Sequence, residues 1–110
     1  MPHIRMRGLP QQAVITISET LLEQLAQICN GNIDSFTLDW VPSISYRHGK
    51  ADTRFVQVEV LWFPKDPDTH HLVEQAIREA VLSVYSQATH ITVMFTTITP
   101  SSYYRDGHHF

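Results

Sequence analysis

The 110-residue sequence predicts an α+β domain in which a β-α-β unit is duplicated, giving a four-stranded mixed sheet with two helices on one face. Three observations predict it. Apolar residues recur every second position in short stretches and at three- and four-residue steps in two longer ones. These stretches follow in the order β-α-β, connection, β-α-β, and the strand starts of the two halves are offset by about 54 residues, a duplication written in pattern rather than identity. One domain over residues 1–110 is expected, with pseudo-repeats at about 1–46 and 54–99 and a tail over 100–110.

Residues 2 to 7 alternate, with Pro2, Ile4 and Met6 on one side and His3, Arg5 and Arg7 on the other, which reads as a half-buried strand ended by Gly8 and Pro10. From about Gln11 to Cys29, Val14, Ile17, Leu21, Leu25 and Ile28 fall at helical spacing between polar residues. One amphipathic helix is expected there, stopped by Asn30 and Gly31, although the β-branched run Val14 to Ile17 is a weaker strand signal. Phe36 to Val41 is the second strand, with Pro42 marking an edge or bulge and the pattern continuing towards Tyr46. Residues 47–54, RHGKADTR, form a polar connection. Phe55 to Phe63 is the strongest strand, with Val56, Val58, Val60 and Trp62 facing one way and Gln57 and Glu59 the other. Asp66-Pro67 supplies an N-cap and first-turn proline for a helix to about Tyr85, whose apolar stripe is Leu72, Val73, Ala76, Ile77, Ala80, Val81 and Val84. His90 to Thr99 is a β-branched fourth strand, and residues 100–110 are a polar, aromatic tail.

Composition excludes several functions. With 8 Lys+Arg against 11 Asp+Glu and no basic cluster, the chain lacks the phosphate-neutralising surface that nucleic acid requires. Its longest apolar runs are too short for a membrane span, and the start MPHIRMRG lacks a signal peptide's apolar segment, so a cytoplasmic protein is expected. The single cysteine, Cys29, precludes an intramolecular disulfide and reads as a buried, inert thiol. Neither His70-His71 nor His108-His109 has the spacing to clamp one ion, so no metal and no cofactor are expected. Nothing matches a Gly-x-Ser-x-Gly nucleophile motif or a glycine-rich phosphate loop.

The helix-free face of the sheet mixes charges with Phe55, Leu61 and Phe63, which suits a subunit interface better than either a core or a solvent surface. Arg5, Arg7, Asp39 and Glu59 are expected to form a structural charge network there, because paired buried charges are tolerated and lone ones are costly. Trp40 and Trp62 each continue an apolar strand face and read first as core, with a pocket role for Trp62 as the second reading because it closes its strand.

These segments resemble the tautomerase superfamily, which includes 4-oxalocrotonate tautomerase and macrophage migration inhibitory factor. The Met-Pro start, FTLDW, VEVLWF and the ending YYRDGHHF are together similar to a small uncharacterised bacterial branch of it, and the architecture covers almost the whole chain. The resemblance implies a homotrimer and an isomerase chemistry in which Pro2, freed by loss of Met1, is the base for keto-enol proton transfer on a small keto acid. It implies an arginine or lysine to hold the substrate carboxylate, but the positions that commonly carry one read Gln11, Gln12, Asn32 and Ile33. Arg47, Lys50 and Arg54, or Arg105 from a neighbour's tail, are the candidates to replace it, and Trp62, Phe63, Tyr103 and Tyr104 are the aromatic candidates near the proline.

Two classes of function follow: a cofactor-independent tautomerase, or a trimeric non-enzymatic member binding a small ligand or a protein. With Met1 retained, the Pro2 nitrogen is an amide without basicity and Pro2 only begins a strand. A ferredoxin-like domain shares the element order, but its RNA-binding form wants basic and aromatic residues where this chain places Glu59.

Overall fold

A computed structural model describes residues 1–110. Strand β1, His3–Arg7, buries Ile4 and Met6 and turns Arg5 and Arg7 outward. At Gly8 the backbone takes φ 90°, and a Cβ there would collide with the Phe55 carbonyl oxygen, so the turn out of β1 admits only glycine without distortion.

The helical segment after this turn is two helices, α1 over Gln11–Ser18 and α2 over Leu21–Cys29, where the periodicity predicted one. Both bury one stripe, Ala13, Val14 and Ile17 followed by Leu21, Leu25 and Ala26, so the apolar spacing runs straight across the break. The break lies in the hydroxyl residues. Thr16 and Ser18 donate their side-chain hydroxyls to the Gln12 and Ile15 carbonyls, and the amides of Glu19 and Thr20 bond three residues back. Such side-chain competition for carbonyls tightens and bends a helix. As expected, α2 stops at Asn30, which adopts the left-handed conformation with φ 51°.

A short 3-10 turn, Ile33–Ser35, leads into β2, Thr37–Val41, which ends there rather than continuing towards Tyr46. The stretch read as a featureless connection is instead a hairpin of β3, Ser45–Arg47, and β4, Lys50–Asp52, with His48 and Gly49 at positive φ in its turn. Next comes β5, Phe55–Trp62, whose Val56, Val58, Val60 and Trp62 are wholly buried, each valine contributing about 1.5–3 kcal/mol relative to exposure. Asp66 caps α3, Pro67–Val84, by accepting a 2.7 Å bond from the Thr69 amide. The stripe of α3 is narrower than predicted, since Leu72 is 51 % exposed and Val84 36 % exposed while Val73, Ala76, Ile77 and Val81 are buried. Strand β6, His90–Thr97, stops two residues short of the expected end; a 3-10 turn, Pro100–Ser102, and a second hairpin of β7, Tyr104–Arg105, and β8, His108–His109, complete the chain.

The sheet order is β2-β1-β5-β6, with β1 parallel to β2, β5 parallel to β6, and β1 antiparallel to β5 at the centre. Each β-α-β unit therefore closes on itself, which excludes the interleaved pairing of a ferredoxin-like domain. Three helices rather than two cover one face, and their buried stripes join Ile4, Met6 and the inward residues of β5 in a single apolar cluster. The other face is bare. It presents Arg5, Arg7, Asp39, Gln57, Glu59 and Met94, and β2 and β6 leave both sheet edges without a strand partner. The Cα radius of gyration is 14.6 Å, above the roughly 13 Å of a compact chain this long, and the extents are 45 × 25 × 25 Å.

Candidate active site at the amino-terminal end of β1

Pro2 shares its side with Ile4 and Met6, and its ring is fully buried. Its carbonyl accepts a 3.2 Å bond from the Thr37 amide, which fixes the start of β1 beside β2. The Met1 ammonium donates to the Ser35 carbonyl at 2.6 Å. Burial pushes that amine below its ordinary value of 8.0, and the positive charges of Arg105 and Lys65 push it further the same way.

His3 faces the opposite side of β1 and bridges two hydroxyls. Its Nδ1 lies 2.6 Å from Thr37 Oγ1 and its Nε2 lies 2.7 Å from the Tyr103 hydroxyl oxygen. Burial lowers the His3 pKa, and the Met1 ammonium and Arg5 add to this while Asp39 opposes it. The neutral imidazole is thereby favoured, with one nitrogen donating and the other accepting.

Tyr103 reaches His3 because the tail folds back on its own chain. Phe110 donates its amide to the Tyr103 carbonyl at 3.0 Å. The Tyr103 and Phe110 rings each sit with centroids 5.5 Å from that of Phe63, and the Arg105 guanidinium lies 4.8 Å from the Phe110 centroid. The start of β1, the end of β5 and the tail thus bring Pro2, Phe63, Tyr103 and Arg105 into one neighbourhood. Tyr104 faces away, 63 % exposed, with its ring edge-on to His109.

The remaining cation candidates lie elsewhere. Arg54 grips Asp52 through Nε and a terminal nitrogen, both at 2.9 Å, and Arg47 Nε adds a third bond at 3.1 Å. Held chiefly by Arg54, the Asp52 carboxyl titrates far below the usual carboxylate range. Both guanidiniums flank the Phe55 ring at 5.3 and 5.5 Å, and Lys50 belongs to the same hairpin. This hairpin borders the far end of β1, and six residues at about 3.3 Å each put it roughly 20 Å from Pro2. Trp62 is core: wholly buried, stacked on Phe95 at 4.9 Å and on His70 at 5.1 Å, with its indole nitrogen unpartnered. On the bare face Arg5 meets Glu59 at 3.2 Å, while Arg7 and Asp39 have no ion-pair partner within the chain.

Sequence reasoning missed His3, Thr37 and Lys65. His3 alternates with Arg5 and Arg7 and so reads as one more outward residue; only the Tyr103 contact, 100 residues away in sequence, sets it apart. No group of three or more His, Cys, Asp or Glu side chains gathers to hold a metal, and no helix is long and apolar enough to cross a membrane.

A four-stranded sheet with self-closed β-α-β units and helices on one side is the fold of macrophage migration inhibitory factor and 4-OT. A macrophage migration inhibitory factor-like protein from Entamoeba histolytica superposes with a TM-score of 0.80 at 13% identity, covering 99% of this chain and 98% of that one. A wild-type fused 4-OT, described as an asymmetric trimer, gives a TM-score of 0.80 at 11% identity over 97% of this chain and 94% of that one. More narrowly, the chain belongs to the DUF1904 family, a domain of unknown function, whose family model matches residues 1–109. A DUF1904 domain from Sebaldella termitidis is 31% identical, with both chains covered completely and a TM-score of 0.91. No curated protein matches the sequence.

Proposed function

We propose that the chain is one tautomerase-type domain that assembles as a homotrimer and, once Met1 is removed, uses the Pro2 amine to move a proton between carbon and oxygen of a small keto acid. One observation carries this reading: the Met1 amino group, one residue ahead of Pro2, sits where burial, Arg105 and Lys65 all lower its pKa, and the same surroundings acting on the Pro2 amine after Met1 is removed would favour the unprotonated base that the chemistry needs. Arg105 and Lys65 are also the cations on hand for the substrate carboxylate. Arg47, Lys50 and Arg54 are separated from their own Pro2 by the length of β1, so in this reading they serve a site only from another protomer. Phe63 and Tyr103 supply an aromatic wall.

The chemistry is a single proton relocation. The Pro2 nitrogen takes a proton from the carbon beside the ketone, the C–H electron pair becomes the C–C π bond, and the carbonyl π pair moves to oxygen. The same proton then returns from Pro2 to that oxygen as the enol. Ketonisation is the reverse, and neither direction calls for a redox or group-transfer cofactor. The test compares protein with free Pro2, protein with Met1 retained and Pro2→Ala on the enol of an aryl pyruvate, after mass spectrometry has established each amino terminus. Activity in the first that Met1 retention abolishes is expected; equal rates in all three remove Pro2 from the chemistry.

The Met1 bond to Ser35 favours a second reading if Met1 persists. The Pro2 nitrogen is then an amide, and the protein is a trimeric ligand- or protein-binding member of the fold.

A further inference from the structure

We infer that Thr37, His3 and Tyr103 form a hydrogen-bond chain whose direction is set by the bound substrate, making Tyr103 the donor that stabilises the enolate oxygen, with His3 and Thr37 as positioning residues. This rests on the tautomerase reading of the site. The chain has hydroxyls at both ends, 2.6 and 2.7 Å from the two His3 nitrogens, and each hydroxyl can donate or accept. A neutral imidazole between them donates through one nitrogen and accepts through the other, so all the bonds must point one way. With nothing beside Tyr103, both directions satisfy the same bonds. A carbonyl or enolate oxygen, which can only accept, breaks the tie. The only arrangement giving it a proton is Thr37 O–H to Nδ1, Nε2–H to the Tyr103 oxygen, and Tyr103 O–H to the ligand.

The surroundings support this use. Burial, the largest influence on His3, favours the neutral imidazole that a directed chain needs. Phe63 and Phe110 pack against the Tyr103 ring and fix its plane. His3 directly follows Pro2, so base and donor stand at the same end of β1. When Pro2 removes the carbon-bound proton, negative charge develops on the former carbonyl oxygen, and Tyr103 holds that charge without giving up its own proton.

The experiment uses free-Pro2 protein and an aryl pyruvate at keto-enol equilibrium. Tyr103→Phe retains the ring packing, so it is expected to fold and to lose about 10²- to 10³-fold in kcat with little change in KM. Thr37→Val is expected to lower kcat, and Thr37→Ser to restore it, which a packing role would not reproduce. Nitrogen-15 NMR of His3 with ligand bound should show a protonated Nε2 and a bare Nδ1. The opposite tautomer, or a Tyr103→Phe enzyme with unchanged kcat whose activity Met1 retention still abolishes, overturns the inference and leaves the tautomerase reading intact. No activity in free-Pro2 protein overturns both.

Discussion

Gly8 and His3 bracket β1, and each shows a single atom deciding a local structure. At Gly8 both the positive φ and the nearness of the Phe55 carbonyl exclude a Cβ. Gly8→Ala is expected to cost roughly 1–3 kcal/mol, read as a lower melting temperature with unchanged far-UV circular dichroism. His3 has a different signature. Its folded pKa lies below the unperturbed 6.5, so the unfolded chain binds the proton more readily. Its contribution to stability is complete above pH 6.5 and is lost as pH falls through the lowered value. Denaturant titrations between pH 7.5 and about 5 should show this decline, and His3→Asn should flatten it. The outward parity of His3 is legible in sequence, whereas its pairing with Tyr103 depends on where a distant tail comes to rest. Pro2 is conspicuous only through the family resemblance, since composition and periodicity give it nothing more than a strand start.

Elements that bury one side are legible in sequence, and those that bury none are not. Val56 to Trp62 alternate because one face of β5 is packed against helices, and the Asp66-Pro67 start of α3 is equally plain. The β3–β4 hairpin leaves almost every side chain exposed, so no alternation announces it. The α1–α2 break is hidden for the converse reason: Ile17, Leu21 and Leu25 keep helical spacing across it. The Thr69 amide lowers the Asp66 pKa, so the cap is formed above the usual carboxylate range and lost as pH falls through the lowered value. Asp66→Ala should melt a few degrees lower at pH 7 and lose that difference in strong acid. The tail is worth more than a loose end. Deleting residues 103–110 uncovers Phe63 and frees His3 Nε2, and differential scanning calorimetry is expected to show a lower melting temperature.

For the molecule as a whole, the bare face of the sheet is the feature that most needs a partner. Under the trimer proposal, sedimentation equilibrium at micromolar concentration gives three times the chain mass, and Met94→Glu shifts it towards the monomer. Arg5 and Glu59 supply a sharper reading. Both are substantially exposed in the single chain, with side chains 52% and 36% accessible, where such a pair couples by about 0–1 kcal/mol. A double-mutant cycle well above that range reports that assembly has covered the pair, and a smaller value leaves the face open to water. The outer edge of β6 sharpens the point. HITVMFTT is eight residues of β-branched and apolar character with no proline, lysine or acid to blunt it, and its unused backbone donors and acceptors form a template for any other extended chain. Such a strand in a dilute, unassembled protomer is a nucleus for amyloid-like stacking. Concentration therefore acts on this protein in two opposed ways, raising the encounters that cover the edge correctly and those that extend it without limit.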